Sequence, residues 1–171
     1  MTTPDASQFR REPLHVADER TMYQGWLDYH RGTLLWKCAG LTDEQLKTAA
    51  LSPSTLSLLG LVRHMAEVER SWFRTRAADL KLPELYCTKD DRDGDFNNVA
   101  DAVVEANLAT YKVECEAADE AVRTKSLEDT FARGHAPISV RWVYIHMIEE
   151  YARHNGHADL LRERLDGATG D

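Results

Sequence analysis

Toward the C-terminal end of the chain, side chains able to donate lone pairs recur at helical spacing. His146, Glu150 and His154 stand four and four apart, and His157 follows three later. At 3.6 residues per turn a helix gathers them into a stripe roughly 80° wide. Such a stripe can simply face water. Here, however, Ile145, Ile148, Tyr151, Ala152 and Ala158 interleave with it, and Leu160, Leu161 and Leu165 extend the apolar character. A helix apolar on both flanks of a His/Glu row turns part of that row inward, where ionisable groups must be paired or bound to a metal. Imidazole and carboxylate together suit zinc, nickel, iron or manganese. Two donors one turn apart can share an ion, so a third must come from another helix. His64 is the natural candidate, because it lies beside the apolar stripe of the second long helical segment. Three protein donors leave positions open for water or substrate, which marks a catalytic site. The spacing by itself also fits ordinary core or surface histidines.

Other constellations carry less. A di-iron carboxylate site wants E-x-x-H on two helices. The last helix instead has E-x-x-x-H, and the second has the reversed His64 to Glu67. The acidic run Lys89 to Asp95, between Tyr86 and Phe96, lacks the spacing and the distant bidentate Glu of a calcium loop, and reads as a solvated loop. Cys38, Cys87 and Cys115 are odd in number and far apart, which predicts reduced thiols and no disulfide framework.

The elements that would position these groups are legible from caps and periodicity. Residues 1–16, with Pro4 and Pro13, read as an extended arm. Asp18 caps a first helix whose apolar positions are Met22, Trp26, Tyr29, Thr33 and Trp36, and which ends at Gly40. Thr42 to Gln45 forms a capping box opening a short turn. After Pro53, Ser54 or Ser57 caps a second helix to about Ala78, with Leu58, Leu61, Met65, Val68 and Trp72 facing the core. Leu82-Pro83 closes it, and Glu84 to Asp95 is loop. Asn97 or Asn98 caps a third helix to about Lys125, carrying Val99, Val103, Ala106, Leu108, Tyr111, Val113 and Ala118. A connection from Ser126 to Pro137, including Gly134 and His135, leads to a last helix capped by Ser139 and terminated by Gly167. No segment has strand periodicity. The expectation is a single all-α domain over residues 1–171, a four-helix bundle.

With 171 residues, 43% hydrophobic and 29% charged, the chain can bury a substantial core. Its net charge of −8 argues against nucleic acid and anionic membrane as partners. No stretch is apolar enough to span a bilayer, and Met1 to Arg11 is polar, so the expected location is the cytoplasm.

The segments Gly60 to Phe73 (GLVRHMAEVERSWF) and Arg141 to Gly167 resemble the two signature helices of the DinB-like superfamily. The resemblance is closest to the mini-circle protein branch, and Trp36 to Leu46 resembles that branch's exit from the first helix. It is related to maleylpyruvate isomerases and to mycothiol- or bacillithiol-dependent transferases. The resemblance implies a metal between the helices, with His64, Glu150 and His154 as ligands and Glu150 standing where many members have histidine. His157, at the Gln of the usual H-x-G-Q, is implied as a site-lining residue and proton carrier, with His146 as a neighbour. A homodimer is implied as well.

The resulting functional expectation is a metal-dependent S-transferase, with zinc the leading metal, that activates a low-molecular-weight thiol such as mycothiol against an electrophile. Arg153 and Arg141 are candidates for recognising the thiol's carboxylate or hydroxyls, or else form surface ion pairs. Two other readings stand beside it. One is a metal-dependent hydrolase with Glu67, Glu149 or His157 as base. The other is a non-enzymatic metal-binding stress-response bundle.

Overall fold

A computed structural model describes residues 4–133 and 136–170, so Gly134 and His135 of the predicted connection lie outside the described residues. The fold is mostly helical. The long helices are α1 (Glu19–Cys38), α3 (Leu58–Glu69), α5 (Val104–Val122) and α6 (Val140–Asp166), with short helices α2 (Asp43–Lys47) and α4 (Gly94–Asn97) between them. Arg70–Ala77 prolongs α3 as a π-helical segment. The sequence reading has no strand, but Thr130–Arg133 (β1) and Ala136–Ser139 (β2) form an antiparallel hairpin, with Phe131 opposite Ile138. Four-residue strands are too short for alternation to show in sequence. No helix among the described residues is long and apolar enough to cross a membrane.

Local chemistry fixes the helix ends. Asp18 accepts from Thr21 N, Ser57 from Gly60 N and Ser139 from Trp142 N. Thr42 and Gln45 close a reciprocal capping box, and Gly167 ends α6 at φ 79°. The N-terminal arm contains a 3₁₀ turn, Ala6–Gln8, and lies against α1. There Trp36 Nε1 donates to Pro4 O, and the Arg10 guanidinium covers the rings of Tyr29 and Trp36.

α1 pairs with α6 and α3 with α5, and the four share a core that includes Leu27, Leu34, Leu58, Leu61, Met65, Phe73, Tyr144, Met147 and Leu161, all essentially inaccessible. The buried stripe of α1 runs through Leu27, Arg31, Leu34 and Cys38. Of the apolar positions named from sequence on this helix, Thr33 and Trp36 are buried and Trp26 is 41% exposed. One sequence expectation changes here. The third long helix begins at Val104, and Val103 and Val113 face solvent. Asn97 and Asn98 do not cap it, since Asn97 ends α4, Asn98 is that short helix's C-cap, and the N-cap of α5 is Val103.

The buried arginine organises the interior. Arg31 donates from Nε and Nη2 to the two oxygens of Glu69, at 2.7 and 2.8 Å, and from Nη1 to Asp119. Glu69 Oε1 also accepts from the Tyr151 hydroxyl at 2.8 Å, and Tyr151 meets Tyr111 at 2.9 Å. Burial alone would lower the Arg31 pKa, but the charge and hydrogen bonds of Glu69 override it and raise it. A charge left in this layer without its partner is costly. Glu69→Ala should lower unfolding free energy by about 3–5 kcal/mol in urea titrations, while the paired change Arg31→Met with Glu69→Leu should recover most of that loss.

Candidate metal centre

α6 carries its polar row on the edge of its buried face. Val143, Met147, Tyr151 and Ala158 point into the core, which leaves His146, Glu150, His154 and His157 half-buried beside them. On α3 the same arrangement holds, with Leu61 and Met65 buried and His64 at the margin. Where the two margins meet, one donor atom each from His64, Glu150 and His154 lies within 4.8 Å of the others. Their side chains are 25%, 23% and 13% exposed. The His64 and His154 rings approach edge to face at 4.8 Å. The two Glu150 oxygens face imidazole nitrogens on both sides, Oε2 at 3.5 Å from His154 Nε2 and Oε1 at 3.5 Å from His146 Nε2. Those separations exceed good hydrogen bonds, as expected for donors directed at a shared centre.

Each imidazole is oriented from behind. His64 Nδ1 is 2.8 Å from Asp95 Oδ2. A carboxylate only accepts, so Nδ1 carries the proton and Nε2 presents its lone pair. Asp95 is buried, its second oxygen accepts from Phe96 N, and the Phe96 ring stacks on His64 at 5.0 Å. His154 Nδ1 lies 3.4 Å from His157 Nδ1. Burial first, and then electrostatic interactions with His64, His157 and Arg153, push the His154 pKa down to about 4, with Asp95 opposing. His154 is therefore neutral near pH 7, the form that binds a metal.

The residues named from sequence thus separate. His64, Glu150 and His154 converge. His157 backs His154 and does not line the adjoining cleft. Arg153 is largely exposed and bonded to Glu149, and Arg141 bridges Glu19 and Glu128. His146 lies between Trp72 and Trp142, each ring centroid 4.7 Å away. With Glu149 and Glu150 it makes a second donor cluster, but Glu149 is already engaged by Arg153 on the surface of one helix. Of the convergent donors, His64 and Glu150 line a cleft of about 400 Å³ that is also walled by Trp72, His146, Asp95 and Phe96.

Asp95 was not legible as part of the site. It belongs to the acidic run read as a solvated loop, and the one signal was its aromatic neighbour Phe96. The loop is drawn in by Arg63, whose guanidinium bonds the carbonyls of Asp95 and Gly94 and stacks on Tyr86. A Cβ at Gly94 would come 2.4 Å from the Tyr86 carbonyl, so only glycine permits this approach. Glu67 Oε2 accepts from the backbone amides of Leu85 and Tyr86, and more weakly from that of Cys87.

No cysteine offers a thiolate. All three are free. Burial pushes the Cys38 thiol up to about 12 and raises Cys115, while Cys87, at the cleft, is pushed up to about 11 by burial together with the negative charge of Asp95, Glu67 and Glu84.

The chain matches the sequence model of the mycothiol-S-transferase family over residues 22–167. No curated protein matches it significantly. Among solved structures it is similar to a conserved protein from Enterococcus faecalis, with a TM-score of 0.57 and 15% identity over 90% of this chain and 100% of that one. At that identity the likeness speaks to the fold.

The depressed His154 value gives a signed expectation. Below pH 6.5 the unfolded chain takes up a proton that the folded, metal-free chain does not. Stability of the metal-free protein should therefore be full above pH 6.5 and fall as the pH drops toward 4. Histidine NMR titration should find one imidazole titrating near pH 4, and that signal should be missing in His154→Ala.

Proposed function

The chain belongs to the mycothiol-S-transferase family of the DinB-like superfamily, and from that premise we propose that it is a divalent-metal-dependent S-transferase joining a low-molecular-weight thiol to an electrophile. Its four long helices are read as the DinB-like four-helix bundle, with His64, Glu150 and His154 holding the ion. The observation that carries this reading is the approach of those three donors, two from α6 and one from α3, beside a cleft. The donor set fits zinc best, being compact, of mixed nitrogen and oxygen character, and incomplete without an outside ligand. When bound, such an ion acts as a Lewis acid that lowers the pKa of a coordinated sulfur, so that thiolate is present near neutral pH.

The chain's own residues do the rest. Asp95 fixes the tautomer of His64, and His157 holds the ring of His154. Glu150 brings one negative charge, leaving a site with net positive charge to attract a sulfur anion. Trp72 and Phe96, which line the cleft, lower its polarity and strengthen electrostatics within it. His146 stands at the cleft wall with Nε2 toward Glu150, and takes the proton released by the thiol more readily than His157, which lies outside the cleft. The attacking sulfur comes from the cofactor, because the one cysteine at the cleft is held protonated. A hydrolytic role has less support. Glu67 is occupied by backbone amides and Glu149 by Arg153, which removes two of the candidate bases.

Metal analysis after zinc loading should give one equivalent for the wild type and loss of that equivalent in His64→Ala and His154→Ala. Asp95→Asn should bind zinc about 10–100-fold more weakly with helicity intact. Full zinc retention by both histidine variants would end the ligand assignment. With a chromogenic electrophile such as 1-chloro-2,4-dinitrobenzene, turnover should require added mycothiol. Equal consumption without thiol would favour the hydrolase.

A further inference from the structure

The cleft beside the donors continues outward. A basin of about 640 Å³ adjoins it and shares Glu67, Ser71, Arg76, Cys87 and Arg92 as walls. The charge of this basin runs against that of the molecule. In a chain of net charge −8, it is lined by Arg70, Arg76, Lys89 and Arg92 against Glu67 and Glu84. The charges are also unequally committed. Glu67 is taken up by backbone amides, and Asp91, nearby in the same loop, by Asn97 and Asn98. Arg70 is held by Glu114 and the Pro83 carbonyl, although its Nε is buried without an acceptor. Arg76 is fixed at the junction of the two chambers by Ser71 and by the Trp72 ring, 4.8 Å from its guanidinium carbon. Arg92 and Lys89 have no hydrogen-bond or ion-pair partner among the described residues. Glu84 in the basin and Asp93 in the inner cleft are the opposing carboxylates, beside Asp95 and Glu150, which face His64 and the histidines of α6.

We propose that this outer basin binds a carboxylate or comparable small anionic group carried by one of the two reactants. Arg92 is its principal contact, with Arg76 and Lys89 flanking it. As a statement about substrate class this rests on the transferase reading, whereas anion binding in the basin does not. Arg92 belongs to both chambers, so an anion bound there leaves the rest of the same molecule reaching toward the donors. A guanidinium fork orients a planar carboxylate through paired hydrogen bonds, which a neutral analogue is unable to make.

The test uses full-length protein loaded with one equivalent of zinc and two matched pairs of probes, titrated calorimetrically. One pair is 3,5-dinitrobenzoate and 1,3-dinitrobenzene, standing for the electrophile. The other is N-acetylcysteine and its amide, standing for the thiol. The wild type should prefer the anionic member of one pair, and that pair identifies which reactant carries the charge. Arg92→Gln should reduce the preference about five- to tenfold at unchanged zinc content. Lys81→Gln, a cation outside the basin, should keep it. Absence of a preference in both pairs, or a preference that survives Arg92→Gln, overturns the proposal. A preference that tracks Arg92 in a protein that transfers no thiol would support the anion site and overturn the transferase reading alone.

Discussion

The relative register of the four long helices depends on one buried ion pair and the hydroxyls attached to it. Arg31 from α1 grips Glu69 at the end of α3 and Asp119 on α5, and Glu69 in turn holds Tyr151 of α6, which meets Tyr111 of α5. Apolar packing tolerates sliding of one helix along another, since leucine faces many equivalent leucines. A bidentate pair does not. Slipping any helix by one turn, about 5.4 Å, would strand a charge in the core. The net contribution of such a pair to stability is small once desolvation is counted, and its distinctive effect is to make alternative registers costly.

That register is what brings the candidate donors together. His64 lies five residues before Glu69 on the same helix, and Tyr151 sits in sequence between Glu150 and His154. The Glu69–Tyr151 hydrogen bond therefore sets how far along α6 the His64 side chain arrives, and the donors meet one layer above the polar core. The electrostatics follow from the same placement. Partial burial keeps His154 neutral, Asp95 holds the Nδ1 proton of His64, and burial together with the negative groups around the cleft keeps Cys87 protonated. A site arranged in this way positions donors and withholds a nucleophile of its own.

What sequence revealed and what it missed divide along the same line. Helix ends were readable because caps act within a few residues. Asp18, the Thr42–Gln45 box, Ser57, Ser139 and Gly167 all do locally what their types predict. The α6 row was readable for the same reason, since i, i+4 spacing within one helix is a local property. Arg31 was not, because its burial depends on a partner 38 positions away. Asn97 and Asn98 do not cap the third long helix because the chain first forms the short α4 there, and α5 begins only at Val104. The hairpin before α6 was too short to show a period.

The loop between α3 and α5 is where the two halves of the site part company. Donors on α3 and α6 are set by the polar layer beneath them, which tolerates little change. Asp95 and Arg92 are instead delivered by a loop pinned from outside the donors, through Arg63 on the carbonyls of residues 94 and 95, Glu67 on the backbone of residues 85–87, and Asp91 on two asparagines. One residue of that loop, Asp95, faces inward and orients a candidate ligand. Another, Arg92, three positions earlier, faces the open basin. Loops on a rigid frame accept substitution more readily than the frame does. Changes at positions 89, 90, 92 and 93 would therefore alter the surface beside the candidate donors, while the anchors at 63, 67 and 91 keep the Asp95 contact to His64 in place. The physical basis for varying substrate without losing the donor arrangement is this separation between a register fixed by buried charge and a loop fixed by backbone hydrogen bonds.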